Sequence, residues 1–216
     1  ATVTGNTVHI VGAGSATITA SQAGNTLWNP AADVPRTLTV NKATATVTLT
    51  GLSKTYSGSP QAASATTSPA GLTVDFTYDG SSTIPANAAS YAVVGTINDN
   101  NYQGSNSGTL VINKASLTAT ADDKSKTYGE INPAYTVKYS GFVGTENESV
   151  LDVPDTASAT ALQYSDAGSY AITAAGGSDN NYFFSYAAGN LTVNKAALTA
   201  TADDKSKTYG DVNPAL

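Results

Sequence analysis

Cysteine and methionine are both missing from these 216 residues, histidine and tryptophan occur once each, and only 12% of the chain is charged. Each absence removes a class of chemistry. Without cysteine there is no disulfide framework, no thiolate metal site and no cysteine nucleophile. With His9 as the sole histidine, neither a Ser/His/Asp set nor a recurring His-based metal site can be assembled. Its place in the run Val8-His9-Ile10 reads as a solvent-facing strand position. The three glutamates, Glu130, Glu146 and Glu148, read as loop acids, and no enzyme is expected. A net charge of −6 and a pI near 4.5 lack the basic patch that nucleic acid requires, and they do not suit an anionic membrane surface. No apolar run approaches the roughly 20 residues of a bilayer span, and there is no signal peptide. With no methionine to start translation, the chain reads as an internal stretch of something longer.

What the chain does have is Gly, Thr, Ser, Asn and Ala, the residues of strands and tight turns. It also repeats itself. Asn-Lys-Ala occurs at Asn41-Lys42-Ala43, Asn113-Lys114-Ala115 and Asn194-Lys195-Ala196, spaced by 72 and 81 residues. Lys-Thr-Tyr follows at Tyr56, Tyr128 and Tyr209 with the same spacings, and Asp-Asn-Asn-Tyr occurs at 99–102 and 179–182. Residues 114–135 match 195–216 at 18 of 22 positions. The chain therefore divides into a trailing half-module (1–42), two complete modules (43–114 and 115–195) and the first strand of a further one (196–216).

Within the modules the apolar period is two. Ala43, Ala45, Val47 and Leu49 alternate with threonines, and Ala115, Leu117, Ala119 and Ala121 alternate with Ser and Thr. Leu72, Val74, Phe76 and Tyr78 alternate with polar residues and stop at Asp79-Gly80, and Tyr135-Val137-Tyr139 and Tyr170-Ile172-Ala174 behave alike. Strands with one dry face imply an all-β architecture of tandem, immunoglobulin-like antiparallel sandwiches. Asp166-Ala167-Gly168-Ser169-Tyr170 and Asn87-Ala88-Ala89-Ser90-Tyr91 read as tyrosine corners. Leu110 to Ala115 carries one module into the next without Gly or Pro, so an elongated rod is expected. Tyr56, Tyr128, Tyr209 and Trp28 are expected to cap or fill the core.

The opening Lys-Ala, the Lys-Thr-Tyr-Gly turn (Lys-Thr-Tyr-Ser-Gly in the first module), Asn132-Pro133, the Ala-Gly-Ser-Tyr corner and the closing Val-Asn-Lys-Ala resemble the MBG-type repeats of large bacterial surface adhesins. Residues 1–42, through Val11 to Ala20 and Leu38-Thr39-Val40, resemble the C-terminal half of a bacterial Ig-like (Big) repeat. The resemblance implies β-sandwich modules of very long proteins at a bacterial cell surface, serving attachment, biofilm or gliding. The near-identical repeats suit an extracellular stalk that holds a distal binding region away from the cell. The alternative is that the repeats themselves bind a glycan or protein. For that, the longer loop 141–155 of the second module supplies Phe142, Glu146 and Glu148. No cofactor is required. Calcium has candidates in the acidic loops at Asp99, Asp122, Asp123 and Asp179, although turn chemistry explains them more simply and no EF-hand spacing is present. The expected partners are the neighbouring repeats of the same chain and an unknown surface glycan or protein reached through the parent adhesin. Head-to-tail association of copies is a further route, by which 196–216 would complete 1–42.

Overall fold

Alternating small apolar and hydroxyl residues make strands with one dry face, and that face is stable only when a second sheet covers it. The computed structural model describes residues 1–5 and 7–215, and it builds them from strands and turns with a single 3₁₀ turn at Glu148–Val150. No α-helix occurs among the described residues. The chain forms two compact units. One comprises 1–115 together with 143–145 and 180–183, and the other comprises 116–142, 146–179 and 184–216.

The first unit opens with two antiparallel ribbons. One pairs β1 (Thr2–Thr4) with β2 (Thr7–His9), and the other pairs β3 (Gly14–Gln22) with β4 (Ala31–Val40), with a bulge between Ala20 and Gln22. There follow β5 (Ala43–Thr44), β6 (Thr46–Thr50), β7 (Ser53–Thr55), β8 (Ser64–Ser68), β9 (Val74–Tyr78), β10 (Ala89–Ile97), β11 (Tyr102–Gln103) and β12 (Ser105–Asn113). The sheet β7-β12-β10-β9 faces the pair β6-β8, and Ala45, Val47 and Ile97 meet Leu49, Ala65, Leu72, Val74 and Tyr102 between them. Asp79 and Gly80, with φ of 48° and 82°, form the tight turn after β9. Positive φ at both central residues is why Asp-Gly stands there.

The next set is β13 (Ala115–Ala121), β14 (Lys124–Thr127), β15 (Val137–Ser140), β16 (Thr156–Ala159), β17 (Gly168–Ala175), β18 (Tyr182–Ala187) and β19 (Gly189–Asn194). Its sheets are β15-β13-β18 and β14-β19-β17-β16. Ala119, Ala121, Ile172, Ala174, Leu191 and Val193 interlock with Val137, Tyr139 and Phe184. The core is rich in alanine.

Two expectations are corrected by the strand pairing. The sheets are not purely antiparallel, because β7 runs parallel to β12, β14 to β19 and β5 to β11. The cause is a change of sheet. The opening strand pairs in one sheet as β13, then crosses Asp122-Asp123 and joins the other as β14. Lys126-Thr127 is consequently strand, and the chain turns beyond it at Tyr128-Gly129. Residues 196–215, expected as a strand, are irregular and exposed. β13 and β14 hold their form through β15, β18 and β19, and no pairing of that kind reaches 196–215 among the described residues.

The aromatic expectations divide. Tyr56 is buried and meets Tyr182 edge to face at 5.6 Å, within the first unit. Tyr128 is 46% exposed against Tyr164, and Tyr209 is fully exposed. Trp28 is 72% exposed in the β3–β4 loop, where Asn25 Oδ1 accepts from the N–H groups of Leu27 and Trp28. Among the described residues that ribbon is a two-stranded sheet, and the indole on its loop stays in solvent.

Both tyrosine corners form as read from the sequence. Tyr170 Oη donates to the Asp166 carbonyl and Tyr91 Oη to the Asn87 carbonyl, each at 2.9 Å. Tyr170→Phe removes one hydrogen bond and nothing else, so urea unfolding of the variant should give a loss of about 1 kcal/mol. An unchanged midpoint would make the corner ornamental.

Candidate functional site

The acidic candidates serve four separate local tasks. Asp99 Oδ1 accepts from the N–H groups of Asn101 and Tyr102, which closes the Asp-Asn-Asn-Tyr turn. Asp123 Oδ1 accepts from Asn190 N–H at 2.7 Å. Asp179 is buried, and its Oδ2 lies 3.4 Å from the Asp152 N–H. Asp122 binds Lys138 Nζ at 2.8 Å and accepts from Thr136 Oγ1 at 2.5 Å. Although adjacent in sequence, Asp122 and Asp123 are engaged in different interactions. No group of three or more His, Cys, Asp or Glu side chains is placed to hold a metal among the described residues.

The hydrogen bond from Lys138, then that from Thr136, holds the Asp122 carboxyl below the ordinary value of 3.8, while the Lys138 ammonium is raised by Asp122 in turn. A lowered folded value means stability that is present above pH 3.8 and lost as pH falls through that lowered value. Asp122→Asn should therefore lower the melting temperature slightly at neutral pH. The gap to the parent chain should close as the pH falls below 3.8. The effect is small because Lys138 is exposed.

The binding candidates fare differently. Phe142 packs against Tyr139 at 5.8 Å, and the two line a groove of about 450 Å³ with Val137, Lys138, Asn147 and Glu148. Glu146, read from sequence as a member of the same set, is half-buried outside that lining. The 3₁₀ turn fixes the loop, with Asn147 Oδ1 capping Ser149 N–H. Tyr139 Oη accepts from Asp155 N–H at 2.7 Å, and burial is the largest of the causes that raise the pKa of its phenol. The groove thus offers two aromatic faces, a carboxylate, an amide and an ammonium. Groups of these kinds are able to hold a polar ring by stacking and hydrogen bonding.

Two residues with defined roles escaped the sequence reading. Lys126 is 5% exposed, and its Nζ donates to the carbonyls of Glu130, Leu162 and Gln163 at 3.1, 2.8 and 2.9 Å. Recurrence of Lys-Thr-Tyr was the available signal. The second is Asn101, whose Oδ1 accepts from Ala13 N–H at 2.8 Å, with Lys42 Nζ donating to the Asp99 carbonyl beside it. In the Asp-Asn-Asn-Tyr loop at 99–102 the aspartate closes the turn, and the second asparagine is the side chain that reaches the distant Ala13 N–H.

Residues 45–116 match the family model described as MBG domain, and residues 117–192 match that described as MBG domain (YGX type). These limits lie within three residues of the modules read from the repeats. No curated protein matches the chain.

Proposed function

We propose that this chain, which carries two MBG domains in tandem and so belongs to that family of repeat proteins, is a non-catalytic spacer from an extracellular bacterial adhesin, holding a distal binding region away from the cell. The observation that supports the reading is the joint. β12 ends at Asn113 and β13 begins at Ala115, so one residue, Lys114, separates the last strand of one repeat from the first strand of the next. A connection that short withholds the freedom of a Gly/Ser linker. Near-identity of 114–135 and 195–216 points the same way, because reach needs repetition and not individual surfaces. At about 3.3 Å of rise per strand residue, each repeat would add roughly 30–40 Å. Residues 1–42 fit this reading as the end of a preceding Ig-like repeat.

Small-angle scattering of the chain, first with calcium and then with chelator, tests the proposal. A long, stiff profile that ignores chelation is the expected result. A compact profile, or one that reports free swinging between repeats, would refute the spacer. Loosening on chelation would instead place calcium in the acidic loops and direct mutation to Asp99, Asp122, Asp123 and Asp179.

One observation favours a second reading, in which the second repeat binds glycan or protein directly. Phe142 and Glu148 share one groove with Tyr139, and the first repeat has no counterpart of that loop. A glycan-array signal abolished by Phe142→Ala would favour this binding role. Absence of any signal leaves the spacer reading in place.

A further inference from the structure

The first unit contains two hydrogen bonds of the same design. In one, Asn101 Oδ1 accepts from Ala13 N–H at 2.8 Å. In the other, Asn181 Oδ1 accepts from Ala88 N–H at 2.9 Å, and Asn181 Nδ2 lies 3.5 Å from Asn87 Oδ1. Asn101 and Asn181 are the same residue of the Asp-Asn-Asn-Tyr loop, the second asparagine, in successive repeats. Ala13 and Ala88 are also equivalent. Each immediately precedes a long strand, β3 or β10, and each stands two residues before a serine, Ser15 or Ser90. In both cases the loop of one repeat caps the corner of the repeat before it in sequence.

A third corner of this kind exists. Ala167 immediately precedes β17, stands two residues before Ser169, and follows Asp166, whose carbonyl takes the Tyr170 hydroxyl as that of Asn87 takes the Tyr91 hydroxyl. Burial differs at one point. Ala13 and Ala88 are half-covered, whereas Ala167 is exposed.

We propose that the Ala167 corner is a docking site for the Asp-Asn-Asn-Tyr loop of the repeat that follows, and that the second asparagine of that loop is the general clamp of the array. The proposal rests on the tandem-array reading and names its contact. The occupant is specified by chemistry: a side-chain amide oxygen, on a turn closed by aspartate, that takes the backbone N–H before the corner strand. Residues 196–216, which repeat 115–135 at all but four positions, supply the opening of that following repeat.

Hydrogen exchange followed by NMR tests it in two arms. In the chain itself, Asn101→Leu should speed exchange at Ala13, and Asn181→Leu at Ala88, by up to about tenfold, the worth of one hydrogen bond. Asn181→Asp keeps an acceptor oxygen and should retain most of the protection. Unchanged exchange at Ala88 in Asn181→Leu would overturn the clamp whatever the second arm gives. In that second arm, a copy of residues 136–195 is joined after Leu216, completing a third repeat in the protein's own sequence. Ala167 should then become protected, and Asn→Leu at the copied Asn181 should reverse it. Protected strand amides in the added copy with Ala167 still exchanging freely would overturn the docking site. Scattering on the same samples reports the spacer separately, since a stiff array with an unprotected Ala167 retains the spacer and loses the clamp.

Discussion

Gly189→Ala should destabilise the second sandwich by at least about 3 kcal/mol, a loss read directly from the midpoint of urea unfolding. A methyl group at Gly189 would stand 2.4 Å from the Ala121 carbonyl oxygen and 2.8 Å from that of Asp122. Both obstacles are backbone, so no rotamer change relieves them. The contact lies where the opening strand leaves one sheet as β13 and enters the other as β14, passing across the start of β19. Relief would require the crossing to move, and Asp123 Oδ1, which holds Asn190 N–H beside it, would move as well. The first unit offers a parallel test, because a methyl group at Gly104 would lie 2.1 Å from the Ala45 carbonyl oxygen. A Gly189→Ala chain that unfolds at the parental midpoint would mean that the crossing is loose and that close backbone approach does not hold the opening strand at its change of sheet.

Lys126→Met should be comparably severe, at about 3 kcal/mol or more, because three carbonyls lose their shared donor while the buried stem keeps nearly the same shape. The ammonium joins the turn after β14 to the segment 162–163 that leads into the tyrosine corner. Two neighbouring bonds fasten the same region. Asn132 Nδ2 donates to the Ala161 carbonyl at 2.6 Å and Gln163 Nε2 to that of Gly129 at 2.8 Å. With these left in place, the expected phenotype is a lowered midpoint with early exchange at 161–166. A surface lysine replaced by methionine shifts stability by only a few tenths of a kcal/mol. A result of that size would show that the three carbonyls do not hold Lys126 in solution.

The two MBG matches begin and end within three residues of the repeat limits. The alternation of the core strands, the Asp79-Gly80 turn and both tyrosine corners were legible in the residues alone. Each of these rests on local physics: a period of two, a positive φ, or a phenol four residues from its carbonyl. Other features depended on packing between distant segments. Lys126-Thr127 reads as the start of the Lys-Thr-Tyr-Gly turn, and it became strand because a carbonyl cage absorbs the charge of Lys126 and because β19 lay open to parallel pairing. Tyr128 and Trp28 have the aromatic character of core residues, yet both are exposed. The asparagines of the Asp-Asn-Asn-Tyr loops carry no mark in sequence that separates a turn former from a clamp. That difference depends on which backbone N–H lies within 3 Å, and folding alone brings together residues 88 and 93 positions apart.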